Sequence, residues 1–264
     1  MRLPRSITAV AYRELQQQAP LIACLWERDS AEEPRAVPVL PDACADIVFV
    51  DGGLMIAGPA TGPAMSAIPP GATVFGVRFR VGAAGAALGV PARELLDARV
   101  PLEDVWGREA AELAERVGAA APATRLTALA NELRARAGDE RPDPLARAVA
   151  GSSGTPVHRL AATLGITDRQ LRRRFATAVG YGPKTLQRVL RFQRFLLLAQ
   201  RAVQPDLARL AFDAGYADQA HLTREARRLA GRTPAELIAD GAGPAGDRSV
   251  PFKTPAPHAA TMAA

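Results

Sequence analysis

The sequence predicts an α+β chain of two domains: an N-terminal small β-barrel or sandwich followed by helices, then an all-α tandem helix-turn-helix. Three observations predict it. Short apolar runs broken by Pro and Gly fill residues 36–80, helical periodicity takes over after about residue 82, and a helix–glycine–helix unit occurs twice beyond residue 156. The 264 residues are 48% apolar and 23% charged, which suits globular domains and leaves room for one core in each.

The β-rich segment reads VPVL, then ADIVFV before Asp51-Gly52-Gly53, then LMIAG, then TVFGVRFRV. Val74, Gly76, Arg78 and Arg80 alternate with Phe75, Val77, Phe79 and Val81, the pattern of a strand with one apolar and one polar face. Helical patterning follows in PARELLDARVPLEDVW, GREAAELAERVG and ATRLTALANELRARA. In the last of these Leu126, Leu129, Ala130 and Leu133 share a face. Gly138 to Arg141 reads as a linker, dividing a sensor or dimerisation domain at 1–137 from a second domain at 142–240. The Pro/Ala/Gly-rich stretch 241–264 reads as a disordered tail.

Several chemistries find no support in the first half. The three histidines are His158, His221 and His258, so no histidine-ligated metal site can sit among the β runs. Cys24 and Cys44 read as two buried thiols, and Trp26 and Trp106 as core or pocket-wall aromatics. Asp42 and Asp46 in PDACAD are paired carboxylates, open between a turn and strand-cap role and contact with a ligand. The start MRLPRSITAVAYRELQQQAP lacks the apolar core of a secretory signal, and no apolar run approaches the ~20 residues of a membrane span, so a cytoplasmic protein is expected.

The +6 net charge is unevenly distributed: residues 1–150 carry −3 and residues 151–264 carry +9. The basic half would attract a polyanion. A membrane surface is the rival partner, but the bases recur over about 75 residues of patterned chain rather than on one amphipathic helix.

In that half Val157, Leu160, Ala161 and Leu164 precede Gly165, and Leu207, Leu210, Ala211 and Ala214 precede Gly215. Each glycine stops one helix, and a second begins within a few residues: Thr167-Asp168-Arg169-Gln170 is a capping box, and Asp218 is an N-cap in the repeat. With Leu171, Phe175 and Ala178 buried, Arg169, Arg172, Arg173 and Ala176 face outward. With Leu222, Ala226 and Leu229 buried, Ala220, Thr223, Arg224 and Arg227 do so. Guanidiniums and small polar groups on a helix suit a major groove, where Arg binds guanine bidentately and Thr meets a base edge or a thymine methyl. Lys184 to Gln200 forms a spacer helix of roughly 25 Å at 1.5 Å per residue, so two readers could engage successive grooves. Arg188, Arg191 and Arg194 on the spacer are open between phosphate contact and stabilising the junction of the two units.

LAATLGITDRQLRRRFATAVGYGPKTL followed by RLAFDAGYADQAHLTREARRLAGRTPAEL resembles the tandem helix-turn-helix domain of the AraC/XylS family of bacterial transcription regulators, over about residues 142–240. The resemblance implies base-reading positions at Arg169, Arg172 and Arg173 in the first unit and at Gln219, His221, Thr223 and Arg224 in the second. The segments VPVLPDACADIVFV, Gly58 to Pro63, FGVRFRVGAAGAALGVPARELLD and PLEDVWG resemble the N-terminal regulatory domain of an uncharacterised branch of that family.

The resulting reading is a sequence-specific transcription regulator, not an enzyme, with two recognition helices for two successive major grooves and an N-terminal domain that modulates them. Its partners are double-stranded DNA, RNA polymerase, an unassigned small-molecule effector and a second copy of the chain, with no metal and no cofactor. An alternative is a DNA-repair or base-modifying enzyme anchored by the tandem unit, which would need a reactive cysteine beside a base or metal. A third is a non-specific architectural binder.

Overall fold

The computed structural model describes residues 12–29, 35–68, 70, 72–151 and 155–241. Most of the start discussed above, His258 and the tail beyond residue 241 lie outside the described residues. Within them, no helix is long and apolar enough to cross a membrane.

Among the described residues the N-terminal half contains eight strands: β1 (Tyr12–Gln16), β2 (Ile22–Asp29), β3 (Arg35–Val39), β4 (Asp46–Val50), β5 (Gly53–Ala57), β6 (Ala64–Ile68), β7 (Thr73–Phe79) and β8 (Arg99–Pro101). Six form an antiparallel sheet in the order β1-β2-β7-β4-β5-β8, and β3 pairs with β6 in a separate ribbon. Among the described residues no ladder joins ribbon to sheet, so of the two expected architectures the open sandwich is the one formed. The Asp51-Gly52 dipeptide makes the two-residue turn between β4 and β5, with Val50 opposite Gly53.

Four strands escape the sequence reading: β1, β2, β6 and β8. β1 is a polar edge strand, and neither β2 (IACLWERD) nor β6 (AMSAI) shows a clean alternation. A further correction concerns PARELLDARVPLEDVW, which is not one helix. It divides into a 3-10 turn at Ala92–Leu95, strand β8, and the short helix α2 (Glu103–Trp106), because Asp97 takes a positive φ and Pro101 interrupts the helical pattern.

The alternation on β7 decides how the sheet packs. Phe75, Val77 and Phe79 are almost fully buried, together with Ile47 and Phe49 of β4 and Leu54 and Ile56 of β5. This face lies under α3 (Arg108–Ala119) and α4 (Pro122–Ala137), whose Leu126, Leu129, Ala130 and Leu133 are buried as the periodicity predicts. Phe49 stacks on Phe75 at 4.8 Å. Trp106 sits in the same core and donates its indole N–H to Leu88 O at 3.0 Å.

The opposite face, expected to be polar, is apolar along much of its length, with Val74 packed against Trp26, Val48 and Val50, and its charged part around Arg78 is enclosed rather than solvated. Arg78 is clamped by Asp46 through Nε–Oδ1 at 3.0 Å and Nη2–Oδ2 at 3.2 Å, with Glu14 and Asp42 at 3.4 and 3.5 Å. Both aspartates face the Arg78 guanidinium: Asp46 takes it in the two-pronged pair, and Asp42 in addition closes a turn by accepting from Cys44 N at 3.0 Å.

Between Gly138 and Asp143 the chain has no regular structure, and among the described residues seven further helices follow the short α1 (Ala84–Leu88) and α2–α4. They are α5 (Pro144–Gly151), α6 (Val157–Thr163), α7 (Asp168–Val179), α8 (Pro183–Arg201), α9 (Leu207–Ala214), α10 (Gln219–Ala230) and α11 (Pro234–Gly241). One apolar core runs through them, with Leu171, Phe175, Leu186, Phe192, Phe195 and Leu222 fully buried.

Candidate nucleic-acid interface

The first helix pair is α6 and α7. Gly165 turns the chain with a φ of +64°, and Thr167 and Gln170 close the expected capping box: Gln170 N donates to Thr167 Oγ1 at 3.2 Å, and Thr167 N to Gln170 Oε1 at 2.9 Å. In the second pair, α9 and α10, Gly215 turns at +91° and Asp218 caps α10, accepting from His221 N at 2.6 Å. Two positions depart from the expected stripe. Leu164 is exposed, because α6 ends at Thr163 and leaves it in the turn, and Val179 rather than Ala178 is the fully buried residue at the end of α7.

On α7, Arg169, Arg172 and Arg173 are exposed and make no ion pair among the described residues. On α10, Gln219 and Arg224 are exposed, and Thr223 is half-buried with its hydroxyl donating to Gln219 O at 2.9 Å. His221 differs from these. Its ring stands edge-on to Tyr216 with centroids 5.2 Å apart, and Nδ1 accepts from Ala217 N at 3.5 Å, so it braces the start of α10.

The spacer arginines also separate. Arg188 forms a two-pronged pair with Glu225 of α10, Nε to Oε2 at 2.7 Å and Nη2 to Oε1 at 2.8 Å, with the two side chains only 20% and 13% exposed. Of the two roles open to Arg188 at the sequence level, this geometry is the junction one. The hydrogen bonds from Arg188 hold the Glu225 carboxyl below the usual carboxylate range. Arg191 lies over the Tyr216 ring at 5.4 Å, and Arg194 is exposed. Lys184, Arg188, Arg191 and Arg228 line a cleft of about 630 Å³ between α8 and α10.

The C-terminal ends of both outward helices rest on the N-terminal half, a feature with no signal in the sequence. Arg93 donates to Thr177 Oγ1 at 2.7 Å, and a Cβ placed on Gly180 would lie 3.1 Å from Ala92 O and 3.2 Å from Cγ of Pro59. One on Gly231 would lie 3.7 Å from Cγ of Pro63. The Pro59–Pro63 stretch therefore lies against the C-terminal caps of α7 and α10. It is itself pinned by Asp97, whose carboxylate accepts from Thr61 N at 2.6 Å and from Thr61 Oγ1 at 2.7 Å.

The chain matches two protein-family models. Residues 160–240 match one described as a helix-turn-helix domain, and residues 15–101 match a domain of unknown function, DUF6597. No curated protein matches the chain. Among solved structures, ToxT from Vibrio cholerae O395 aligns at 7% identity over 83% of this chain and 97% of that one, with a TM-score of 0.43. An unsaturated fatty acid-bound ToxT from strain SCE256 aligns at 8% identity over 89% and 97%, with a TM-score of 0.41. The transcriptional regulator CdpR from Pseudomonas aeruginosa aligns at 20% identity over 65% and 46%, with a TM-score of 0.31. Likenesses this distant transfer neither a ligand nor a site residue.

Proposed function

We propose that this chain, whose residues 160–240 form an AraC-type helix-turn-helix domain, is a sequence-specific DNA-binding transcription regulator acting in the cytoplasm. The observation that carries the reading is the pair of outward helix faces in one chain. Arg169, Arg172 and Arg173 stand on one and Gln219, Thr223 and Arg224 on the other, the arginines without a carboxylate to neutralise them among the described residues. Burying an arginine face costs little when phosphates and guanine edges replace its water, and each bidentate guanine contact adds discrimination. The two faces would enter successive major grooves, with Arg191 and Lys184 reaching phosphate between them.

The N-terminal half would modulate this activity without chemistry of its own, by binding a small molecule or a second copy of the chain. Its contacts with the C-terminal ends of α7 and α10 support such coupling, because a shift of the Pro59–Pro63 stretch would change the angle between the readers. The reading with a DNA-repair thiolate fares worse. Cys24 and Cys44 are both buried, burial pushes the Cys24 thiol up to about 12, and it raises Cys44 as well, the reverse of the electropositive setting a nucleophilic thiolate needs.

The test is selection of bound fragments from a random DNA pool by the full chain. Recovery of one motif with two half-sites about a helical turn apart supports the reading. Recovery of unrelated fragments, bound equally well, makes the protein an architectural binder instead.

A further inference from the structure

The N-terminal half rests on the C-terminal caps of α7 and α10, and a duplex seated on these helices would run past it. Residues 1–150 carry a net charge of −3, so a phosphate backbone meets this half at a cost unless a cation stands at the point of approach. Arg93 stands there. It belongs to the 3-10 turn at Ala92–Leu95, which is anchored by the buried Ala92 and Leu95 and lies against the end of α7, where Ala92 O is the atom that a Cβ on Gly180 would meet at 3.1 Å. From this turn the Arg93 side chain crosses to α7 and donates from Nη1 to Thr177 Oγ1 at 2.7 Å. The Thr177 hydroxyl itself donates to Arg173 O at 3.1 Å, which leaves its oxygen to accept from the guanidinium.

Thr177 lies one turn beyond Arg173. At 100° per residue it stands roughly 90° around α7 from the middle of the face formed by Arg169, Arg172, Arg173 and Ala176. A helix with its side chains is about 10–12 Å across and the major groove about 12 Å wide, so when that face meets base edges, the flank a quarter-turn away runs along a phosphate wall. The other arginine on this flank, Arg174, is paired with Asp143 at 3.6 Å. Arg93 has one carboxylate beside it among the described residues, Glu94 at 3.7 Å, and the two side chains are 49% and 58% exposed. So open a pair is weak, and a phosphate can take its place. Nε of Arg93 makes no hydrogen bond among the described residues, which leaves it available with Nη2 for a two-pronged grip on phosphate oxygens.

We infer that Arg93 is a phosphate-contacting residue, so that the interface of the first reader continues across the domain boundary onto the N-terminal half. The inference rests on the reading of α7 as a DNA-binding helix, and it adds a residue of the other half to the interface. Thr177 positions the guanidinium, and the phosphate displaces Glu94. Such a contact carries no sequence information and strengthens binding to any duplex. It also requires the two halves to be packed together, since Arg93 reaches the groove wall only while its turn lies against α7.

The test titrates the full chain with its selected DNA site and with a random duplex of equal length across a salt series. Arg93→Ala should weaken both DNAs by the same factor, about threefold or more, and lower the log–log salt slope by about 1. Arg93→Lys keeps the charge and should keep the slope. Thr177→Val removes the acceptor without removing charge, so it should keep the slope and cost less affinity than Arg93→Ala. A scan of neutral methylphosphonate linkages along the flank of the first half-site then locates the contact: one linkage should weaken the parent chain and leave Arg93→Ala unaffected. An Arg93→Ala slope equal to that of the parent, or a scan in which every linkage affects both proteins alike, overturns the inference while the regulator reading stands. The slope arm needs only the random duplex, so it decides even where selection recovers no motif. A parent chain that binds neither DNA overturns the regulator reading and the inference with it.

Discussion

Replacing Arg188 or Glu225 separates a structural junction from a DNA contact. The pair makes two charge-assisted hydrogen bonds at 2.7 and 2.8 Å with side chains 20% and 13% exposed, which places it between a surface ion pair and a buried one. Exposed pairs contribute up to about 1 kcal/mol and breaking a fully buried pair costs about 3–5 kcal/mol, so removing either partner here should cost about 2 kcal/mol. The double variant should cost little more than either single one, giving a coupling energy of about 1.5 kcal/mol in a double-mutant cycle. Urea unfolding of Arg188→Ala, Glu225→Ala and the double variant measures these values. DNA titrations across a salt series measure the rest. A junction arginine leaves the log–log salt slope unchanged, whereas loss of a phosphate contact lowers it by about 1. If Glu225→Ala were neutral for stability while Arg188→Ala flattened the salt slope, the assignment of Arg188 to the junction would be refuted.

Arg173→Ala should reduce discrimination between the selected site and random DNA by about 1–3 kcal/mol, the scale of one bidentate base contact, and competition binding with both DNAs reads it directly. An equal loss on both would remove Arg173 from the base-reading set. Acidification should loosen α8 from α10. Because Glu225 is held below its unfolded value by Arg188, the pair's contribution is complete above about pH 4.3 and is lost as pH falls through the lower folded value. The loss of stability between pH 7 and pH 3.5 should therefore be smaller in Glu225→Gln than in the unsubstituted chain. Phe75→Ala, at a fully buried ring stacked on Phe49, should cost about 3–5 kcal/mol in the unfolding of the N-terminal half and leave the helix-turn-helix core intact by amide exchange.

The tandem helical units were legible because their determinants are local. A capping box, an N-cap aspartate and two glycine turns act over a few residues each, and the 3.6-residue stripe then fixes which arginines face outward. The same logic recovered β4, β5 and β7 and the buried leucines of α4. It missed β1, β2, β6 and β8, whose pairing is decided by partners up to about 60 residues away in sequence rather than by their own alternation. The sequence also marks Arg78 as the polar side of a strand without showing that Asp46, Glu14 and the ribbon enclose it. Only the tertiary structure brings Gln193, from a helix that reads as a plain spacer, to Pro41 across 152 positions of chain, and assigns Arg188 to Glu225. The helical wheel specifies which way a side chain points but not what stands opposite it. That depends on how the two halves of the chain pack, which is a property of surfaces assembled from distant segments and has no period along the chain.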